Sequence, residues 1–361
     1  MKVAPLLRAS MATGRISHSL IHTGQHYDKA LSDVFFEQLD IPRPDVSLDV
    51  GSGTQAGQTA KILERIEPVL ADGLDGEPFD WLIVVGDVNS TMAAALAAAK
   101  LNIPIAHVEA GLRSFDRTMP EEINRIVTDS ISDLLLVSDP AGLEHLAKEG
   151  HDNSKVHLVG NLMIDTLMHS LTKAKELGTL NELGLTPSSY GLVTLHRPSN
   201  VDDPKTLKNL LDVLVKTSLE LPLVFAVHPR TKARLESFGL LAGLEAEPNL
   251  TLLPPQGYLE FLCLSSQARV VVTDSGGLQE ETTVLGIPCL TMRENTERPI
   301  TVSEGSSTLI GNDADLLAQN LRLVLDDKYD IGQCPELWDG KAADRIVGAI
   351  SGTLTAQPTA L

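Results

Sequence analysis

Short apolar runs alternate with longer segments of helical periodicity along most of the chain. The first set of runs is LIHTG (20–24), WLIVVGD (81–87), IPIAHVEAG (103–111), DLLLVS (133–138) and VHLVGN (156–161). The second set is YGLVTLHR (190–197), LPLVFAVHPR (221–230), NLTLLPP (249–255), ARVVVTDSGG (268–277) and IPCLTMREN (287–295). Such Val, Ile and Leu runs between helices indicate parallel strands buried on both faces. The pattern predicts an α/β fold with two doubly wound, Rossmann-like domains.

The break between the two sets of runs predicts the domain boundaries. We expect an N-terminal Rossmann-like domain over 1–165, a linker helix over 166–188 that breaks at TPSS, and a C-terminal domain over 189–340. A helix and a frayed tail are predicted over 341–361. Because ligands of such sheets bind beyond the carboxyl ends of the strands, we expect the active site in the cleft between the domains.

Composition narrows the function classes. The 361 residues are 43% hydrophobic, which is enough for two cores, and the formal net charge of -19 argues against a nucleic-acid partner. The sequence predicts no membrane span and no signal peptide, and therefore a cytoplasmic protein. The cysteines are scattered and suggest buried thiols rather than disulfides or a zinc site: Cys263, Cys289 and Cys334. No dinucleotide, P-loop or HExxH motif is visible, so we predict no redox cofactor, ATP or catalytic metal.

The motif DSGGLQEE follows one apolar run and opens a predicted helix. Gly276 and Gly277 would let a phosphate approach backbone N–H groups at the positive end of the helix dipole, so the turn suits a diphosphate. Glu281, about one turn further on, could accept hydrogen bonds from ribose hydroxyls. Arg293 and Arg298 follow the next run, where a guanidinium could pair with a phosphate.

Ionisable residues cluster after the runs of both domains. In the first domain they are Asp87, His107, Glu109, Arg113, Glu121, Glu122 and Arg125. Pro120 predicts a helix start, where one of the two adjacent carboxylates would cap the helix and the other would stay open. In the second domain they are His196, Arg197, His228 and Arg230. Carboxylates and histidines together can form an acid/base set with separated pKa values. For Gln25 and His26, site and structural roles carry equal weight.

The ordered set GD, HVEAGLR, PEEINR, LHR, HPR, DSGGLQEE and ERP resembles the non-hydrolysing UDP-N-acetylglucosamine 2-epimerases over nearly the whole chain. The resemblance implies a glycosyltransferase-B fold, a homodimer and a role in cell-surface polysaccharide biosynthesis. It also implies interconversion of UDP-GlcNAc and UDP-ManNAc without a cofactor. The implied reaction eliminates UDP to give 2-acetamidoglucal and then adds UDP back.

The resemblance also assigns residues. It places the acid/base group on Asp87, Glu109, Glu121 and His196, without separate roles. It places the contacts to uridine and diphosphate on Gln256, Phe261, Ser275, Gly276, Gly277, Glu281 and Arg298. The predicted substrate-binding set also includes Lys2, Arg113, Arg197, His228 and Arg230.

Two departures from the family pattern keep alternatives open. The chain begins MKVAPLL, as though entering the family motif GTRPExIKxAPL near its lysine, so the first strand is expected to be missing and its neighbours unpaired. That implies a start assigned too late or an impaired protein, and an inactive UDP-sugar binder is one alternative. RSFDRTMPEE is shorter than the RTGxxYSPxPEE of members acting on UDP-GlcNAc. It resembles members acting on UDP-2,3-diacetamido-2,3-dideoxyglucuronate, whose carboxylate Arg113 or Arg197 could bind. A hydrolysing relative or a retaining glycosyltransferase is a further alternative.

Overall fold

The computed structural model describes residues 1–24, 36 and 38–352, and within them the chain divides into two units. Unit 1 is Met1–Thr166 together with the segment that begins at Glu336, and unit 2 is Leu167–Pro335. Gln25, His26 and the predicted tail from residue 353 lie outside the described residues.

The strands of the described chain fall within the predicted apolar runs, apart from two short ones. They are β1 (Ile21–His22), β2 (Val46–Ser47), β3 (Leu82–Val85), β4 (Ile105–Ala110), β5 (Leu134–Val137), β6 (Val156–Leu158), β7 (Gly191–Thr194), β8 (Leu223–Ala226), β9 (Leu250–Leu253), β10 (Val270–Thr273), β11 (Cys289–Thr291) and β12 (Ser307–Leu309). The strands β2 and β12 were not predicted, because each has too few apolar residues to stand out as a run.

Helices occupy most of the intervals between the strands. They are α1 (Val3–Thr13), α2 (Gln55–Asp72), α3 (Asn89–Lys100), α4 (Pro120–Ile131), α5 (Pro140–Lys148), α6 (Leu162–Glu176), α7 (Thr179–Glu182), α8 (Pro198–Val201), α9 (Pro204–Ser218), α10 (Pro229–Ser237), α11 (Leu241–Glu245), α12 (Tyr258–Ser265), α13 (Gly276–Leu285), α14 (Ile300–Ser303), α15 (Ala314–Leu325) and α16 (Ala342–Ile350). No helix of the described residues is long and apolar enough to cross a membrane.

Unit 1 contains a four-stranded parallel sheet in the order β3-β4-β5-β6. The helix α16 returns from the C-terminus and packs with α1 against this sheet, where Leu6, Ala9, Ile346 and Val347 share a core with Val108. Asp165 accepts hydrogen bonds from backbone N–H groups at the start of α16. The C-terminal helix is therefore part of unit 1 rather than a separate appendage.

The strands β1 and β2 form a second, two-stranded parallel sheet in unit 1. Ile21 of β1 and Val84 of β3 pack into the same core as Ile62 and Ile66 of α2, yet β1 and β3 do not pair. Within the described residues, the edge of β3 away from β4 has no strand partner, and Ile83 is 36% exposed.

Unit 2 contains a six-stranded parallel sheet in the order β12-β11-β10-β7-β8-β9. The chain runs outward from β7 to β9 on one side and from β10 to β12 on the other. The strand order therefore reverses between β7 and β10, where Thr194 pairs with Thr273. Such a reversal opens a crevice at the carboxyl ends of the two strands, and ligands of doubly wound sheets bind there.

Two features differ from the sequence-based expectations. The residues after Lys2 form the helix α1, which the apolar pattern did not predict. Among the cysteines, Cys263 and Cys289 are buried as expected, but Cys334 is exposed. The prediction that Cys334 is a buried thiol is therefore wrong, because it lies in the irregular segment before α16.

Candidate active site

The glycine turn lies at the reversal point of unit 2. α13 begins at Gly276 directly after β10, and its N-cap residue Ser275 makes no side-chain hydrogen bond to the first turn. The N–H groups of this turn therefore have no side-chain cap, and the helix dipole adds positive potential at the same point. A Cβ atom placed on Gly276 would lie 3.6 Å from Arg293 Nη1. The guanidinium therefore lies against the glycine backbone.

Arg293 completes an anion cradle, which we define as Gly276, Gly277 and Arg293. The arginine is 6% exposed, and its Nη2 donates a 2.9 Å hydrogen bond to Glu297 Oε1. Its Nη1 is buried without a hydrogen-bond partner among the described residues. A buried guanidinium N–H that lacks an acceptor costs free energy, which a bound anion would remove.

Arg197, after β7, adds positive charge beside the cradle. Burial, followed by the charge of Arg293, lowers the pKa of Arg197, so the two guanidiniums are close enough to repel each other. In a chain of net charge -19, a half-buried arginine beside the buried Arg293 indicates an anion-binding site.

Carboxylates line the turn of α13 that follows the cradle. Arg298 Nε lies 2.5 Å from Glu280 Oε1. Glu281 is 5% exposed, and burial followed by the charge of Glu280 raises its pKa to about 8. Glu281 is therefore mostly protonated at neutral pH and can both donate to and accept from a hydroxyl group.

Two histidines follow neighbouring strands of the same sheet. His196 comes after β7, is 38% exposed, and its Nδ1 lies 2.7 Å from Asp274 Oδ1. His228 comes after β8, and its ring centroid lies 5.3 Å from that of His196. Burial, followed by the charge of His196, lowers the pKa of His228. The structure thus brings together the two histidines that the sequence predicted.

Three other residues of unit 2 that were predicted to bind substrate are Arg230, Gln256 and Phe261. The exposed guanidinium of Arg230 pairs with Asp202. Gln256 Nε2 donates to the carbonyl of Pro254 at 2.7 Å, and Phe261 is half-buried in α12. Their contacts with substrate stay predictions.

In unit 1, a β-bulge redirects Glu109. The pairing of β4 with β5 shifts register between Val108 and Ala110, and Glu109 has φ of +71°, in the left-handed region. Lys2 Nζ lies 2.6 Å from Glu109 Oε2. A side chain on Gly86, whose φ is +78°, would approach both groups, since its Cβ would lie 3.4 Å from Lys2 Nζ. Bulges and positive φ at a strand end are typical of functional sites.

The two adjacent carboxylates at the start of α4 have different roles. Glu122 accepts hydrogen bonds from the backbone N–H groups of Ser114 at 2.9 Å and Phe115 at 3.0 Å. It also pairs with Arg125, which bonds Asp87 as well. Glu121 is half-buried and makes no hydrogen bond or ion pair to the described residues. The N–H groups of Ser114 and Phe115 belong to the loop before α4, and α4 has no side-chain cap. The prediction that one of the two carboxylates caps the helix is therefore wrong, and Glu121 is the open one.

A buried ion-pair network supports the same strand ends. His107 is fully buried, with Nδ1 2.6 Å from Asp129 Oδ1 and Nε2 2.9 Å from the carbonyl of Gly86. Burial alone would lower the pKa of His107, but Asp129 outweighs it and the pKa is raised. Arg113 is 4% exposed and pairs with Asp129 and Glu149. Substrate contact by Arg113 stays a prediction that this geometry does not favour.

Sequence comparison places the chain among known proteins. A sequence profile described as UDP-N-acetylglucosamine 2-epimerase matches residues 8–351. This chain belongs to that family. A UDP-N-acetylglucosamine 2-epimerase from Methanocaldococcus jannaschii is 40% identical over 352 residues, which cover 96% of this chain and 94% of the relative. A UDP-2,3-diacetamido-2,3-dideoxy-D-glucuronate 2-epimerase from Pseudomonas aeruginosa is 39% identical over 351 residues, which cover 96% and 94%.

Solved structures of the UDP-N-acetylglucosamine 2-epimerase family have the same fold. The crystal structure of the Methanocaldococcus jannaschii enzyme in complex with UDP-GlcNAc and UDP matches with a TM-score of 0.82 and 40% identity, covering 97% of this chain and 96% of that one. The enzyme from Neisseria meningitidis bound to UDP-GlcNAc matches with a TM-score of 0.84 and 28% identity, covering 97% and 95%. The predicted glycosyltransferase-B fold, family and isomerase class are confirmed.

The sequence did not reveal the roles of two buried aspartates in this epimerase chain. Asp274 is the first residue of the motif DSGG, but the motif predicted a role only for the serine and the two glycines. Asp129 lies inside α4 with no motif around it. An aspartate directly after a buried strand is a usable signal for Asp274, whereas nothing in the sequence marks Asp129.

Proposed function

We propose that this chain is a non-hydrolysing UDP-N-acetylglucosamine 2-epimerase. In the proposed reaction, a base removes the proton from carbon 2 of the sugar while the bond from carbon 1 to UDP breaks. The product of this elimination is 2-acetamidoglucal. UDP then adds back to carbon 1, and a proton returns to the opposite face of carbon 2, which gives UDP-ManNAc.

The anion cradle is the observation that carries this proposal. UDP leaves with negative charge on its diphosphate, and oriented N–H groups and cations lower the barrier where that charge develops. Gly276, Gly277 and Arg293 offer such donors at the reversal point of the sheet. Glu281, protonated at neutral pH, supplies a hydroxyl-binding group one turn away, as a ribose requires.

Unit 1 supplies carboxylates for the proton transfers. Glu109 is held by Lys2 at a strained strand end, and Glu121 has no partner among the described residues. Asp87 faces Arg125. With His196 of unit 2, these carboxylates make up the proposed acid/base group.

Solvent exchange at carbon 2 tests the proposal directly. The chain is incubated with UDP-GlcNAc in D₂O, and the sugar protons are followed by NMR. We expect deuterium at carbon 2 of both UDP-GlcNAc and newly formed UDP-ManNAc, with the UDP–sugar bond intact at equilibrium. Release of UDP with free sugar would indicate a hydrolysing enzyme, and binding of UDP without exchange would indicate an inactive binder.

A second candidate substrate is UDP-2,3-diacetamido-2,3-dideoxyglucuronate. The Pseudomonas aeruginosa relative that carries this name is 39% identical, almost the same as the 40% of the Methanocaldococcus jannaschii relative. An uronate needs a cation for its carboxylate. Arg113 is buried in ion pairs, which leaves the half-buried Arg197 as the candidate among the two predicted arginines.

The ratio of kcat/KM values for the two UDP-sugars separates these candidates. We expect UDP-GlcNAc to be preferred by wild type. The second candidate would be favoured instead if wild type preferred the uronate and Arg197→Gln abolished that preference. In that case the variant should lose less activity with UDP-GlcNAc than with the uronate.

The family resemblance extends the proposal to a cytoplasmic homodimer that supplies an activated N-acetylmannosamine for cell-surface polysaccharide. Two-fold dimers are the commonest assemblies of soluble enzymes. Light scattering after size-exclusion chromatography gives the mass, and a mass of one chain would contradict the dimer.

A further inference from the structure

The carboxylate of Asp274 holds the loop that follows β7. Asp274 is fully buried between β10 and α13. It accepts hydrogen bonds from the backbone N–H groups of His196 at 2.9 Å and Arg197 at 2.8 Å. It also accepts from Asn200 Nδ2 at 3.0 Å and contacts His196 Nδ1 at 2.7 Å. All of these donors belong to one short stretch, so a single side chain fixes its position.

The carboxylate of Asp274 is ionised. Burial alone would raise its pKa, but the hydrogen bonds from His196, the Arg197 backbone and Asn200 outweigh burial and the pKa is lowered. An ionised carboxylate only accepts hydrogen bonds, so His196 Nδ1 must carry the proton in the contact between them. The neutral ring then has its lone pair on Nε2.

The neighbouring His228 has the opposite arrangement. Its Nδ1 accepts a hydrogen bond from the backbone N–H of Arg230 at 3.1 Å, so its neutral ring carries the proton on Nε2. Two imidazoles with centroids 5.3 Å apart therefore differ in the atom they offer. His196 offers an acceptor, and His228 offers a donor.

We propose that Asp274 is a positioning residue that fixes His196 in the Nδ1–H tautomer and thereby makes Nε2 a proton acceptor. The inference rests on the proposed function, in which His196 belongs to the acid/base group. In the elimination, the proton of carbon 2 goes to Nε2, and the electron pair of the broken C–H bond forms the double bond to carbon 1 as UDP leaves. The carboxylate of Asp274 stabilises the resulting imidazolium, as buried aspartates do for other catalytic histidines.

The position of Asp274 also links the two halves of the site. The next residues along the chain are Ser275, the N-cap of α13, and Gly276, the first residue of the anion cradle. The same backbone segment therefore sets where UDP binds and how His196 is oriented. Asp274, directly after β10, can therefore orient His196 without occupying the anion cradle.

The variant Asp274→Asn tests the proposal. The amide oxygen can still accept from the backbone N–H groups, and its NH₂ group would then face His196 Nδ1 as a donor, which favours the Nε2–H tautomer. We expect hydrogen exchange at carbon 2 to fall by at least about 100-fold, with UDP affinity within about threefold of wild type. Asp203→Asn is the matched control, because Asp203 is an aspartate of the same unit that caps α9 through Thr206 N. We expect it to leave the exchange rate unchanged.

The ¹⁵N spectrum of histidine-labelled protein reports the tautomer itself. The spectrum of His196→Gln identifies the His196 signals among the 10 histidines. In wild type we expect a protonated Nδ1 and an unprotonated Nε2, and in Asp274→Asn a shift towards protonated Nε2. A purely structural role would leave the tautomer of His196 unchanged while lowering UDP affinity and exchange together.

The outcomes separate this inference from the proposed function. Absence of exchange with either UDP-sugar in wild type would overturn the proposed function, while the wild-type spectrum would still test the tautomer. An Nε2–H tautomer in wild type would overturn the role of Asp274, whether or not Asp274→Asn folds. Exchange within threefold of wild type in Asp274→Asn would overturn it as well.

Discussion

Lys2 Nζ and Glu109 Oε2 form an ion pair of 2.6 Å across a gap that the missing side chain of Gly86 leaves open. The lysine stands at the start of α1 and the glutamate at a bulge near the end of β4, in a backbone conformation that few glutamates adopt. Strain of this kind persists only where the surrounding structure enforces it. The pair therefore gives Glu109 a defined direction at the carboxyl end of the sheet.

Glu109→Gln should reduce exchange at carbon 2 by about 100-fold to 10,000-fold and leave UDP affinity within a few fold. The amide keeps the shape of the side chain but cannot act as an acid or a base. The measurements are NMR exchange and calorimetry with UDP. Glu144→Gln is the control, since Glu144 also faces a lysine but is exposed. Equal loss of exchange and of UDP affinity would contradict an acid/base role.

Arg293→Ala should weaken UDP binding by about 10-fold to 100-fold, because a charge-assisted hydrogen bond contributes about 1.5 to 3 kcal/mol. The variant also lacks the buried Nη1 that has no hydrogen-bond partner among the described residues, so UDP can no longer satisfy that group. Arg298→Ala should weaken UDP binding as well, through loss of its pairing with Glu280. Calorimetry with UDP measures both variants, and Arg322→Ala, at an exposed site in the same unit, is the control. Unchanged affinity in Arg293→Ala would contradict the anion cradle.

Glu281 should make the stability of wild type depend on pH. Its pKa is about 8 in the folded chain against 4.5 when unperturbed, so the folded state holds the proton more tightly. The contribution of protonated Glu281 to the free energy of unfolding is fully present below about pH 4.5. It is lost as the pH rises through about 8, by up to about 1.4 kcal/mol per pH unit. Urea unfolding from pH 5 to pH 9 measures this slope.

Glu281→Gln removes the titration, so its free energy of unfolding should fall less steeply than that of wild type over the same pH range. Glu245→Gln, at an exposed position of α11, should keep the wild-type slope. Parallel slopes for Glu281→Gln and wild type would show that Glu281 titrates normally in the folded chain.

Asp129→Asn should lower the free energy of unfolding by about 3 to 5 kcal/mol. It leaves the buried charges of His107 and Arg113 without their shared carboxylate. Urea unfolding at neutral pH provides the measurement. Asp152→Asn, which weakens an exposed cap on Ser154, should cost about 1 kcal/mol or less. A similar small cost for Asp129→Asn would mean that the network contributes little.

The sequence predicted most strands because parallel strands buried on both faces consist of continuous apolar residues. It also predicted the glycine turn, since Gly276 and Gly277 follow such a run and open a helix. The short strands β2 and β12 escaped because Val46–Ser47 and Ser307–Leu309 contain few apolar residues. Their pairing depends on neighbours that are distant in sequence.

The partners of the site residues could not be predicted from the sequence. Motif spacing placed Arg113 and Glu109 at the end of one strand, but only packing shows that the arginine turns inward to Asp129. The bulge turns Glu109 towards Lys2 instead. A one-residue shift of register changes the face on which a side chain lies, and no local pattern records that shift.

The open edge of β3 has a consequence for the behaviour of the protein at high concentration. No strand among the described residues pairs with this edge, and with the partly exposed Ile83 it offers a template on which an extended segment from another molecule can add as a new strand. Natural sheets protect such edges with charges, proline or a covering loop. We expect this edge to promote aggregation, and a short peptide that pairs with it to act as a solubilising agent.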